Sequence, residues 1–237
     1  MKKIILLVAA LAGILFAKSV ELETPPDHKD GVNHLELVLI LDKSGSMSGL
    51  ESDTIGGFNS MIEKERKEGI DASVTTVLFD TKFNVIHDRT PLKKVENLTS
   101  KEYYAGGNTA LLDAIGSTIA RIERVPDIYA KNNRVLFVII TDGMENSSRE
   151  YSKAQIKKMI SDKQEKYDWE FIFLGANIDA ASEAQSIGIK RENALKYENS
   201  KEGVNKNFEA AAEISKDVAT DNKVNSKWRD KVLQDKK

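Results

Sequence analysis

Leu35-Glu36-Leu37-Val38-Leu39-Ile40-Leu41-Asp42-Lys43-Ser44-Gly45-Ser46 is the stretch on which the fold turns. Its first seven residues are too apolar for a half-exposed strand, which would alternate apolar and polar side chains. They fit a strand buried on both faces, as in a parallel sheet covered by helices on each side. The run then breaks into Asp42, Ser44 and Ser46, with Gly45 between the serines to let the backbone bend.

Outward from this strand, the same alternation of apolar runs and amphipathic segments continues. Asp53 or Thr54 is expected to cap a helix that carries Ile55, Phe58, Met61 and Ile62 on one face and ends near Gly69. Ala72 to Phe79 is rich in β-branched residues, and Phe83 to His87 follows after a tight connection, which predicts an antiparallel pair. Leu111, Leu112, Ile115, Ile119 and Ile122 recur at helical spacing, and Val135 to Ile140 is a second fully apolar strand. Further helices are expected over Ser152 to about Gln164 and Ala180 to Ile187, a strand over Trp169 to Leu174, and a weak strand near Ala194 to Tyr197. From Glu202 onward Val204, Phe208, Ala211 and Ile214 predict a last amphipathic helix, which Val224, Trp228 and Val232 would continue. Strands alternating with helices imply an α/β fold with parallel pairing and right-handed crossovers, whose ligands bind beyond the carboxyl ends of the strands.

The chain has 237 residues, enough for one medium domain with short extensions. Its 35 basic and 37 acidic residues are interspersed, and no basic stripe with interleaved aromatics points to nucleic acid. Without cysteine there are no disulfides, thiolate zinc sites or cysteine catalysis. The three histidines, His28, His34 and His87, are too few for a histidine-rich metal site. A bound metal must be held by oxygen, which favours magnesium, manganese or calcium.

The amino terminus differs from the rest. Lys2 and Lys3 precede an apolar run from Ile4 to Ala17, with small residues at Ala17 and Ser19, the parts of a secretory signal peptide. The expected organisation is a signal peptide over 1–19, a linker over 20–33, a domain over 34–200 and a helical extension over 201–237. Export, periplasmic or secreted, follows from that reading. The alternatives are a membrane anchor through residues 4–17, or a cytoplasmic protein if the true start lies later.

Three segments at element boundaries carry oxygen-bearing side chains. Asp42-Lys43-Ser44-Gly45-Ser46 follows the first strand, Gly106-Gly107-Asn108-Thr109 precedes a helix, and Thr141-Asp142-Gly143 follows the Val135–Ile140 strand. All three are expected at one edge of the sheet. A small hard cation takes about six oxygens. Ser44 and Ser46 can face one point, Thr109 offers a third hydroxyl, and Asp42 and Asp142 supply the charge, directly or through water. Carboxylates acting through water would leave the ion under-neutralised and open to an outside anion.

Asp-x-Ser-Gly-Ser, a separated Thr and a Thr-Asp-Gly, in this order and strand context, resemble the metal-ion-dependent adhesion site of von Willebrand factor A-type domains. The resemblance covers about residues 34 to 200. It implies a Rossmann-like three-layer sandwich: a mostly parallel central sheet with one antiparallel edge strand and helices on both faces. It also implies Mg²⁺ or Mn²⁺ bound directly by Ser44, Ser46 and Thr109, with Asp42 and Asp142 acting mostly through water. The family uses the open position to take an Asp or Glu side chain from a partner protein, so the implied function is non-enzymatic protein binding, with no small-molecule substrate. Phe79, Tyr103-Tyr104 and Phe171-Ile172-Phe173-Leu174-Gly175-Ala176-Asn177 resemble bacterial single-domain members.

Other readings compete. Gly45-Ser46-Met47-Ser48-Gly49 matches the nucleophile elbow of serine hydrolases, but that chemistry needs a late histidine and none follows His87. Asp42 after a buried strand could transfer phosphate, yet no second carboxylate sits two residues on. Asp142 and Glu145 could pair as acid and base, or form a solvated loop. Met47 and Met144 would rim the site if exposed and pack if buried; Tyr103 and Tyr104 would contact a partner or anchor a loop. Asn177 ends a strand on the same edge, as rim polarity or turn. His87 reads as a strand or surface residue.

Overall fold

The computed structural model describes residues 34–130, 132–176, 179–221, 224–225 and 228–229. The expected signal peptide and linker, Asn177, Val232 and His28 lie outside these residues. Strand β1 (His34–Asp42) runs through the middle of a six-stranded sheet with β2 (Ala72–Phe79), β3 (Phe83–Pro91), β4 (Asn133–Thr141), β5 (Glu170–Ala176) and β6 (Ala194–Tyr197). The order is β3-β2-β1-β4-β5-β6, parallel throughout except for β3, which pairs antiparallel with β2 at the edge.

Both faces of β1 are apolar because both are covered. Leu35, Leu37, Leu39 and Leu41 enter one core layer; Val38 and Ile40 enter the other. The first layer is closed by α1 (Glu51–Glu68) and α5 (Lys201–Asp221), and the second by α2 (Leu111–Ile122), α3 (Lys153–Tyr167) and α4 (Ala180–Ser186). Each fully buried Leu or Ile contributes about 1.5–3 kcal/mol to such layers. α5 opens the segment expected to extend beyond the domain. It packs Val204, Phe208, Ala211, Ile214 and Val218 into the first layer, where Trp228 joins them.

Glu36, an acidic residue near the start of β1, is fully buried and ion-paired with Arg89 of β3. Burial pushes the Glu36 carboxyl up, but hydrogen bonds from His34 and Arg89 overcome this and hold it below the usual carboxylate range.

Local signals place the helix ends. Ser152 caps α3 in a reciprocal capping box with Gln155. Gly69 terminates α1 in the left-handed conformation, φ 74°. Asp53 and Thr54 do not cap α1. The helix starts earlier, at Glu51, so both lie inside its first turn, and Glu51 itself turns back to accept from the Gly49 amide at 2.8 Å. β3 runs on to Pro91, and His87 within it is buried, bonded to Thr76 at 3.0 Å and stacked on Phe58.

The chain builds outward from β1 through β2 to β3, then returns to lay β4 on the other side of β1. The crevice where strand order reverses therefore lies between the carboxyl ends of β1 and β4, at Asp42 and at Thr141-Asp142.

α1 carries an unusual group in its packed face. Glu65 is 1% exposed, and neither carboxylate oxygen has a hydrogen-bond partner among the described residues. Burial lifts its pKa from 4.5 to about 8; Ser215 of α5 and Lys64 pull it down, and Glu68 adds to the rise. An acid whose folded pKa is raised keeps its proton in the fold after the unfolded chain has lost it, so stability falls as pH rises. The wild-type chain should lose stability progressively between about pH 4.5 and 8, and Glu65→Gln should flatten that slope. Denaturation midpoints across this range test it; a slope unchanged by the substitution refutes it.

Candidate metal centre

Asp42 ends β1 with 1% exposure. Its Oδ1 accepts from the Ser44 amide at 2.7 Å, and its Oδ2 from the Thr141 hydroxyl at 2.6 Å. The second bond crosses the crevice between β1 and β4. Burial pushes the Asp42 carboxyl up; the bonds from Thr141 and Ser44 counter this, and the nearby Asp142 carboxylate adds to it.

From Asp42 the polar groups form a chain. The Ser44 and Ser46 hydroxyls lie 3.1 Å apart, and Ser46 donates to Asp142 Oδ1 at 2.5 Å. Asp142, 3% exposed, is likewise pushed up by burial and eased by Ser46 and by Asn199, whose amide donates to Oδ2 at 3.1 Å. Thr109 joins from the second loop. A Cβ built on Gly143 would sit 3.3 Å from the Thr109 hydroxyl and 3.4 Å from the Ser46 hydroxyl, so both converge on that glycine. All five predicted residues are thus brought to one place, and the exposed Ser46 opens it to solvent.

Backbone bonds lock the loops. Gly45 donates to the Gly107 carbonyl at 3.1 Å, and Gly106 to the Lys43 carbonyl at 2.9 Å. Gly107 has φ 74°, and a Cβ there would lie 2.8 Å from the Thr81 hydroxyl, so conformation and space both require glycine. Thr109 is held reciprocally by Asn146: amide to side chain at 2.9 Å, carbonyl to Asn146 amide at 3.0 Å. The loop after β4 is pinned to α2 by Asp113, which accepts from the amides of Arg149, Glu150 and Tyr151. Tyr103, fully buried, donates its hydroxyl to the Asp42 carbonyl at 2.5 Å.

The donor set suits a small hard cation. Adjacent oxygens around magnesium at about 2.0–2.1 Å lie about 2.9 Å apart, and the Ser44–Ser46 separation is close to that. Two desolvated carboxylates share the site, and among the described residues no Lys or Arg forms an ion pair with either. Nor do three His, Cys, Asp or Glu side chains gather anywhere among those residues, so the site is rich in hydroxyls.

The remaining candidates sort by exposure. Met47 is buried and packs; Met144 is exposed. Tyr103 anchors the loop, whereas Tyr104 is exposed beneath the Lys43 ammonium, 4.4 Å away. Lys43 also pairs with Asp80. Glu145 is neither an acid–base partner nor a free loop acid: it accepts from the amides of Leu112, Ser147 and Ser148 and so caps α2. Ser48 closes a one-turn 3-10 helix (Gly45–Met47) in extended conformation. Sequence reasoning missed Thr141 as a partner of Asp42, Asn146 and Asn199.

No family model matches the chain, and no curated protein does. Solved structures do match. They include a von Willebrand factor type A protein from Catenulispora acidiphila (14% identity, 78% of this chain, 43% of that one, TM-score 0.51). The fold is von Willebrand factor A-like. The PilB minor pilin of Streptococcus sanguinis also matches (15% identity, 82% and 63%, TM-score 0.56), as does the pilus adhesin SpaC of Lactobacillus rhamnosus GG (12% identity, 81% and 31%, TM-score 0.61). The chain spans less than two thirds of each of these structures, and at such identities the likeness is one of fold.

The Tyr103 hydroxyl is the side-chain contact that reaches the end of β1 from the segment before the second loop. Tyr103→Phe should lower stability by about 1–3 kcal/mol, the usual penalty for breaking a buried hydrogen bond. Urea denaturation measures it, and an unmoved midpoint would show that the bond holds nothing.

Proposed function

We propose that this chain is a non-enzymatic protein-binding module of the adhesion or scaffold kind, dependent on Mg²⁺ or Mn²⁺ and exported from the cell. The observation that carries the reading is the pair of buried carboxylates, Asp42 and Asp142, with three hydroxyls around them and, among the described residues, no lysine or arginine paired with either. Ser44, Ser46 and Thr109 would hold the ion directly. Asp42 already spends both oxygens on Ser44 and Thr141, which suits a role through water. When bound, the cation supplies positive charge at the solvent-facing mouth for an Asp or Glu side chain of a partner protein.

Neutral hydroxyl ligands support this use. They leave more of the ion's charge unspent than direct carboxylates would, so an outside carboxylate is attracted to it. The adhesin and pilin structures that share the fold are compatible with such a role. Export rests on residues 1–19 of the sequence; among the described residues no helix is long and apolar enough to cross a membrane.

Magnesium or manganese should raise the Tm of the purified chain, and chelation should reverse it. A ligand at a hundred times its Kd stabilises by about 2.7 kcal/mol. Asp142→Ala should remove the metal-dependent rise while leaving the chain folded. Differential scanning calorimetry decides: a wild-type Tm insensitive to both ions contradicts the proposal.

A further inference from the structure

The metal loops come from β1, the α2 entry and β4, yet a fourth segment reaches the same carboxylate. β6 ends at Tyr197, and the turn Glu198–Ser200 leads directly into α5. From this turn the Asn199 side-chain amide donates to Asp142 Oδ2 at 3.1 Å, while Ser46 holds Oδ1. Each oxygen of the carboxylate thus has its own donor. The other atom of the Asn199 amide, Oδ1, is shielded from solvent and has no hydrogen-bond partner among the described residues.

Tyr197, two residues earlier and 6% exposed, presents a hydroxyl that is also without a partner there. Burial pushes this hydroxyl well up, and the charges of Asp142 and Asp42 add to the rise. Two buried polar atoms of the β6–α5 junction are thus without a hydrogen-bond partner among the described residues.

The turn is built to put Asn199 in place. The Ser200 hydroxyl accepts from the Gly203 amide at 3.1 Å, and the Ser200 carbonyl from Val204 at 2.9 Å, starting α5 at once. A Cβ at Gly203 would lie 1.9 Å from the Glu198 carbonyl oxygen, so only glycine lets the turn fold this tightly onto the first turn of the helix.

We propose that Asn199 is a positioning residue of the metal centre: its amide holds Asp142 in the orientation that receives the cation. The inference rests on the metal-binding reading above and adds to it a residue from the far end of the sheet. A neutral donor is the right chemistry for the place. It steadies an ionised carboxylate without bringing a positive charge that would compete with the cation. Groups that orient metal-bound or water-bridging carboxylates typically contribute tenfold or more to metal affinity.

Isothermal titration of the full chain with magnesium tests this, with metal-free Tm measured alongside. Asn199→Ala should bind magnesium about tenfold more weakly at an essentially unchanged metal-free Tm. Asn199→Asp is the same size, but sets an acceptor against Asp142; its metal-free Tm should fall, and magnesium, which relieves the repulsion, should bind at least as tightly as to wild type. A purely structural Asn199 would lower affinity in both variants alike, and that result overturns the proposal. So does wild-type affinity in Asn199→Ala, which leaves the metal reading standing. A wild-type chain that takes up no magnesium removes both.

Discussion

The carboxylate of Asp42 is kept where water scarcely reaches, and much of the molecule follows from that. It sits at the carboxyl end of the central strand, 1% exposed, at the point where strand order reverses. An isolated buried carboxylate is costly, so it is surrounded by donors: the Ser44 amide on its own loop and the Thr141 hydroxyl across the crevice. The Thr141 bond requires β4 to lie beside β1 in register, and the register is that of two apolar strands buried on both faces. The hydrophobic sheet thus sets the distance between two polar loops. The polar contact also gives the sheet a defined end, with Tyr103 holding the Asp42 carbonyl from the neighbouring loop.

The fold was legible because its signals are local and periodic. The unbroken run from Leu35 to Leu41 and its counterpart Val135 to Ile140 read as doubly buried strands, and the sheet has both at its centre. The helix boundaries expected at Ser152 and near Gly69 hold, and the structure shows the capping chemistry that sets each. The start of α1 was misplaced because Asp53 and Thr54 look like caps. The real turn is made by the residues from Met47 to Leu50, whose backbone bonds no side-chain pattern reveals.

The five candidate residues were legible for another reason: they lie within a few residues of strand and helix ends, and topology alone brings those ends together. The partners that arrive from far away were not. Asn199 is 57 positions from Asp142 and belongs to a turn with no motif of its own. In the sequence Asn146 goes unremarked, and Glu145 is open between an acid–base pair with Asp142 and a solvated loop. Their work, holding Thr109 and capping α2, is visible only once α2 is laid against the loop after β4. Exposure also resolved pairs that composition leaves equal: Met47 against Met144, Tyr103 against Tyr104.

Lys43 gives the sharpest reason to regard the site as waiting for a cation from outside. It stands between Asp42 and Ser44 in sequence, and an ammonium aimed at the two carboxylates would neutralise them cheaply. It goes elsewhere. The end of β1 sends it to Asp80 and over the Tyr104 ring, and it is 2% exposed there. A buried lysine committed to another acid cannot swing back without giving up that pair. Asp42 and Asp142 are left facing neutral hydroxyls, both pushed towards protonation by burial. A fold that only needed stability could place apolar side chains at these positions. Two desolvated carboxylates, paired with no lysine or arginine among the described residues, at the crevice where strand order reverses, are the arrangement that the proposed divalent ion would complete.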